Sequence, residues 1–280
     1  MHVHRLLISG TGRVFVQERE TADVHTQFGR VRAEVVNAAQ DGEVITTDSG
    51  EQLVIFSPHF IDRYKRIRRE AQIITFKDAG VILATAGLGS HSRVIEAGSG
   101  SGALTVFLAQ HCNHVFSYEK NKEHLSVAQE NVALFEQDNV TFHHRDIAEG
   151  IVETGVDAMI LDVPEPWTAF PHIPGALIIG GYVVTYVPST PQLQHIHHHA
   201  VELGLYHVRT VEVSERHWMV KEQAVRPTSK NVAFTAFLSF FRYFGPHWPA
   251  LRPKEKQRAP MWNFPSEGLG SFFSEPKQDH

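Results

Sequence analysis

The rhythm of apolar and polar positions changes along the chain. Up to residue 62 the apolar runs are short and alternate with polar positions, as in "RLLISG", "GRVFVQE" and "GEVITTDSGEQLVIFSP". Turn pairs "TG", "DG" and "SG" separate them, which predicts strands joined by tight turns. Residues 1–62 are therefore expected to form a small β-barrel or sandwich, followed by a connecting segment, 63–89. From 90 to 244 strand-like and helix-like runs alternate. Strands are predicted at 93–97, 114–119, 140–144, 157–162 and 177–187. Helices are predicted at 103–111, 121–135 and 190–204. In the second helix Leu125, Ala128, Val132 and Phe135 form one stripe, and Asn121 is placed to cap it. Such alternation predicts an α/β domain with a mostly parallel, doubly wound sheet. Two late strand runs, "HVRTVEV" and "NVAFTAFLSFF", have no clear helix between them and suggest an antiparallel pair at one edge. Residues 245–280 are rich in Pro and Gly without periodicity, and read as a tail.

Composition narrows the class. In 280 residues, 42% are hydrophobic, enough for a sizeable core, and the single cysteine, Cys112, excludes an intrachain disulfide. That suits a reducing compartment such as the cytoplasm, with Cys112 as an inert, packed thiol. The longest apolar runs fall short of the ~20 residues of a membrane helix. The net charge of −5 does not advertise a nucleic-acid binder, so any RNA contact needs a local basic patch. One such patch is "DRYKRIRRE", with Arg63, Lys65, Arg66, Arg68 and Arg69; Arg226 is a second candidate. A solvated or interface segment accounts for the run equally well. The chain has nineteen histidines. Their one cluster, "HIHHH" at 195–199, lacks regular ligand spacing with Cys or acid partners, so no metal site is expected.

Chemistry concentrates after the first strand of the α/β region, in "VIEAGSGSGA" (94–103). Gly98, Gly100 and Gly102 let the backbone turn sharply and approach a ligand closely. The following helix offers free N–H groups to an anion. Gly98-x-Gly100-x-x-Ala103 satisfies the loose dinucleotide pattern. S-adenosylmethionine fits equally well, with its carboxylate on the loop. Glu119, ending the next strand, suits a ribose diol, which both cofactors carry. Asp162 opens "DVPEPW" at a later strand end, where doubly wound sheets hold ligands. Pro164 and Pro166 stiffen that loop and present Trp167 nearby. An acid on such a loop suits a flat heterocycle bearing an amino group, which favours a methyltransferase over a dehydrogenase.

The ordered stretches "RREAQIITFKDAG" (68–80), "VIEAGSGSGALT", "YEKNKEHLSVAQENV", "RDI" (145–147), "DAMILDVPEPW", "ERHWMVKEQAVRP" (215–227) and "TAFLSFF" resemble the tRNA (adenine-N1) methyltransferases that modify adenine 58 of the T loop. The likeness runs from about residue 10 to 244. It implies a class I S-adenosylmethionine-dependent sheet with an antiparallel seventh strand, an N-terminal β domain, a homotetramer and a tRNA substrate. It places Ser101, Gly102, Ala103 and Leu104 around the methionine part of the cofactor, has Gln72 line the same cleft, and counts Glu96, Gly98 and Gly100 among the cofactor-binding residues. It places Glu119 on the ribose and His124 and Asp146 near the adenosine end. Asp162 would hold the target adenine through its 6-amino group. Two positions depart from the family pattern. Thr75-Phe76 stands where the family usually has Tyr-Pro, and Phe234-Thr235 where it often has His-Thr. A methyltransferase of the same fold on another RNA or protein, and a non-catalytic partner subunit, are the competing readings. The intact glycine loop, Glu119 and Asp162 disfavour the latter.

Overall fold

A computed structural model describes residues 2–232 and 234–248. Most of the 245–280 tail lies outside these. The N-terminal region contains β1 (Arg5–Ser9), β2 (Val14–Gln17), β3 (Val24–Thr26), β4 (Gly29–Val31), α1 (Ala33–Ala38), β5 (Val44–Thr46) and β6 (Gln52–Phe56). Four strands form an open antiparallel sheet in the order β2-β1-β6-β5, and β3-β4 form a separate hairpin. Leu7, Leu53, Ile55 and Ile45 from the sheet meet Val24, Val31 and Val36 from the hairpin and helix in a small core. The sheet does not close into a barrel. The short helix and the β3–β4 hairpin cover one face instead.

α2 (Phe60–Tyr64) and α3 (Phe76–Ala86) follow, then the central unit: β7 (Arg93–Ala97), α4 (Ala103–His111), β8 (His114–Glu119), α5 (Lys122–Leu134), β9 (Val140–His144), β10 (Val156–Leu161), α6 (Ile173–Ala176), β11 (Leu177–Val187), α7 (Thr190–Leu203), β12 (Tyr206–Val211), the hairpin β13 (Glu215–Lys221)–β14 (Ala224–Val232), and β15 (Phe237–Arg242). Seven strands run in the order β12-β15-β11-β10-β7-β8-β9. β15 pairs antiparallel with both β11 and β12, so the two late strands form the expected antiparallel pair at one edge, with β12 outermost and β15 inside it.

The sheet is buried on both faces, which explains its near-continuous apolar strands. Side chains of β10 alternate between two cores. Ala158 and Ile160 face Val106, Leu108 and Ile82 on the α3–α4 side. Met159 and Leu161 face Phe170, Ile173 and Ile196 on the α6–α7 side. Asn121 caps α5 as its sequence predicts, accepting the Glu123 and His124 amides at 2.8 and 3.2 Å. Cys112 is buried in the first core, and burial pushes its thiol up to about 11. The histidine run falls on α7, with Ile196 turned into the second core.

Candidate active site

The C-terminal ends of β7, β8, β10 and β11 open into one cleft of about 740 Å³. That lies within the roughly 300–1,000 Å³ typical of small-ligand sites. Gly98 begins its floor. Its φ is +89°, and an added Cβ would collide with the Asp162 carbonyl. Only glycine lets the loop pass so close to the end of β10. Gly102 is equally constrained, with φ +73° and Ala128 of α5 only 2.8 Å from where a Cβ would stand.

Glu119 is largely buried at the end of β8 and closes the loop from the other side. Its Oε2 accepts the Gly100 amide at 3.0 Å and its Oε1 the Asn121 amide at 2.8 Å. The Gly100 amide is thus already committed to a carboxylate. Beneath the loop, Glu96 is buried and accepts hydroxyls from Thr105 at 2.5 Å and Ser117 at 2.7 Å. Burial pushes it up to about 7, against those two hydrogen bonds, with Asp162 and Glu119 adding to the rise. Three carboxylates therefore converge under this loop. Only Glu119 and Asp162 of the three line the cleft itself.

Asp162 follows β10, with protein on most sides and a strip of surface facing the cleft. Burial, and secondarily the charge of Glu119, push it up to about 7. No described protein group donates a hydrogen bond to its carboxylate. Pro164 and Glu165 continue this wall, and Gln192 of α7 ties it down by donating to the Pro164 carbonyl at 2.9 Å. At the opposite end Asp146 caps a short turn by accepting the Ala148 amide at 3.0 Å, which lowers its pKa. Lys120 lies 3.2 Å from it.

Of the residues expected at a cofactor, Gln72, Gly98, Gly100, Glu119, His124, Asp146 and Asp162 line the cleft. Glu96, Ser101, Gly102, Ala103 and Leu104 do not. Ala103 and Leu104 face the core because the left-handed turn at Gly102 starts α4 there. Ser101 accepts the Glu70 and Ala71 amides at 3.0 and 3.1 Å. Asn131 accepts the Arg68 amide and donates to the carbonyls of Arg68 and Ser101. These bonds strap residues 68–72 across the loop and so set Gln72 at the cleft.

The expected basic patch is split by the structure. Arg68 is engaged by Glu70 and by Glu130 at 3.0 Å. Arg63 is half-buried in a seam with Val3, Ile67 and Phe135. Lys65 and Arg69 are exposed and Arg66 half-exposed, while Arg226 is exposed on the β13–β14 hairpin. Trp167 does not line the cleft. It packs on His195 and His199 of α7, at 5.3 and 6.1 Å between ring centres. Among the described residues, no group of three or more His, Cys, Asp or Glu is placed to hold a metal, and no helix is long and apolar enough to cross a membrane.

Sequence reading overlooked Tyr186 and Pro188, which line the cleft at the end of β11. The signal existed, because "VVTYVP" ends a parallel strand just as "MILDVP" does.

Comparison with known proteins agrees with this geometry. Residues 65–240 match the family described as tRNA methyltransferase complex GCD14 subunit. The tRNA (adenine(58)-N(1))-methyltransferase TrmI of Thermus thermophilus is 33% identical, covering 85% of this chain and 95% of its own. A Methanocaldococcus jannaschii TrmI, described as acting at adenine 57 and adenine 58, is 27% identical over 92% of this chain and all of its own. In structure, a SAM-dependent O-methyltransferase from Thermotoga maritima superposes with TM-score 0.79 at 30% identity, over 87% of this chain and 94% of that one. TrmI from Aquifex aeolicus superposes with TM-score 0.72 at 26% identity, over 85% and 96%. The match spans well over half the chain and includes every strand that builds the cleft, so the chain belongs to this tRNA methyltransferase family.

Proposed function

We propose that the chain methylates N1 of adenine 58 in the T loop of tRNA, using S-adenosylmethionine. The observation that carries this reading is the pair of carboxylates facing one cleft. Glu119 is tied to the glycine loop, and Asp162 has no donor among the described residues and faces the open space.

The residues present suit the cofactor. Glu119 keeps lone pairs for a ribose diol after its two amide bonds. His124 and Asp146 stand at the adenosine end, and Gln72, Gly98 and Gly100 at the methionine end. Bound there, S-adenosylmethionine supplies a methyl group already activated for transfer.

Adenine N1 carries an in-plane lone pair, so no base is needed before attack. The enzyme's task is alignment, which supplies a large part of barrier lowering. Ionised Asp162 accepts a hydrogen bond from the 6-amino group. It stabilises the positive charge that develops on the ring, and can take the amino proton afterwards. The base must leave its stack, which costs a few kcal/mol. Of the cations expected at RNA, Lys65, Arg66, Arg69 and Arg226 remain available for phosphates, with Arg63 and Arg68 acting mainly within the fold.

A homotetramer in the cytoplasm completes the reading. The outer face of the N-terminal sheet supports assembly. Val14, Ile8, Val54 and Val44 stand in register across all four strands, and Val44 is 56% exposed. Apolar rows of this kind mark contact surfaces. The deciding experiment incubates the protein with labelled S-adenosylmethionine and unmodified tRNA transcript, then maps the product. N1-methyladenosine at 58 is expected, and the same map resolves position 57. A folded protein that binds the cofactor but transfers no methyl, or forms an O-methyl product, would refute the assignment.

A further inference from the structure

Asp78 is fully buried near the start of α3, and the chemistry above does not use it. Four groups converge on its carboxylate. Lys77 Nζ lies 2.8 Å from Oδ1. The hydroxyls of Thr75 and Thr235 each donate to Oδ2 at 2.8 Å. The phenol of Tyr186 donates to the same oxygen at 3.1 Å. Lys77 also donates to Thr235 at 2.9 Å. The donors come from the start of α3, the end of β11 and the approach to β15. Thr75, where the sequence departs from its family pattern, sits on this cluster, as does Thr235, the residue of Phe234-Thr235 that keeps the pattern.

A buried ion pair is a poor source of stability, because desolvation offsets much of its attraction. Here its carboxylate reaches a residue that lines the cleft beside Asp162. With its hydroxyl committed to Asp78, Tyr186 offers the cleft its ring. We infer that Asp78 is a positioning residue for the methyl-accepting end of the cleft. It fixes the Tyr186 ring, through the phenol hydroxyl, in the orientation that frames the space in front of Asp162.

This role rests on the proposed methyl transfer to tRNA, and the test separates the two. Tyr186→Phe keeps the ring and removes the link, Asp78→Asn weakens the link from the other side, and the double variant removes it once. Each single change is expected to lower kcat/KM for tRNA about tenfold or more. Cofactor Kd, by calorimetry, should stay within about twofold, and the double variant should be no worse than the worse single, since coupled sites are not additive. Losses that multiply in the double variant, cofactor affinity that falls in step with turnover, or unchanged turnover would each overturn the role. If Asp78→Asn does not fold, because it strands the Lys77 charge, Thr235→Val takes its place against Tyr186→Phe with the same expected pattern. A wild type that methylates no tRNA removes the functional reading and this role together. An active wild type with unaltered variants removes the role alone.

Discussion

Glu119 and Asp162 are both carboxylates at the ends of parallel strands, and both face one cleft, yet their surroundings differ. Two backbone amides hold Glu119, so it is part of the loop that it closes. Asp162 has no such donor among the described residues, and burial pushes it up to about 7. Hydrogen bonds to a carboxylate favour its charged form, and burial without them disfavours it. A group meant to position a ligand is best fixed beforehand. A group meant to answer a charge that appears during reaction is best left bare.

The comparison can be broken experimentally. Asp162→Ala should cost turnover most, about 10²–10³-fold, the scale of losing one group that stabilises developing charge. Cofactor affinity, by calorimetry, should be largely retained; an equal loss in both would merge the two roles. Glu119→Ala should do the reverse. It should weaken cofactor binding about 10–100-fold, the worth of a charged hydrogen-bonded contact, with turnover largely recovered at saturating cofactor.

A pH profile sharpens the contrast further. If ionised Asp162 is the working form, single-turnover rate should rise about tenfold per unit up to about pH 7 and then level off. A rate that instead falls across this range would require the protonated acid. The smallest effect concerns stability. A carboxylate whose pKa rises on folding holds its proton better folded than unfolded, so stability falls as pH rises from about 4 to about 7 and is flat beyond. Asp162→Asn should therefore be more stable than wild type at pH 8. A gain of about 1 kcal/mol would raise Tm by roughly 2–4 °C. A melting scan at pH 5 and pH 8 checks it, and the gain should shrink at the lower pH.

What was legible in the sequence follows the range of the interactions. The glycine loop, the Asn121 cap and the strand-end acids are local patterns, and each could be read in a window of a few residues. The Asp78 cluster joins residues 108 and 157 positions apart, so no window contains it. "KDAG" was visible, but its partners were not. Helix α1 was hidden in a β-rich stretch, where its single fully buried residue, Val36, gives no periodic stripe. Trp167 was misplaced for a related reason. Its neighbours in sequence face the cleft, but the turn at 166–172 swings it onto histidines some thirty residues on.

The last strand of the sheet is an interior one. Until β15 inserts between β11 and β12, β11 presents an unpaired apolar edge and β12 has no sheet to join. On the ribosome, the central sheet therefore stays unfinished until residue 242 has emerged, and strands made much earlier wait with an edge open to wrong partners. A chain truncated before residue 237 would keep the glycine loop and both cleft carboxylates. It would nonetheless be expected to aggregate rather than work at reduced rate.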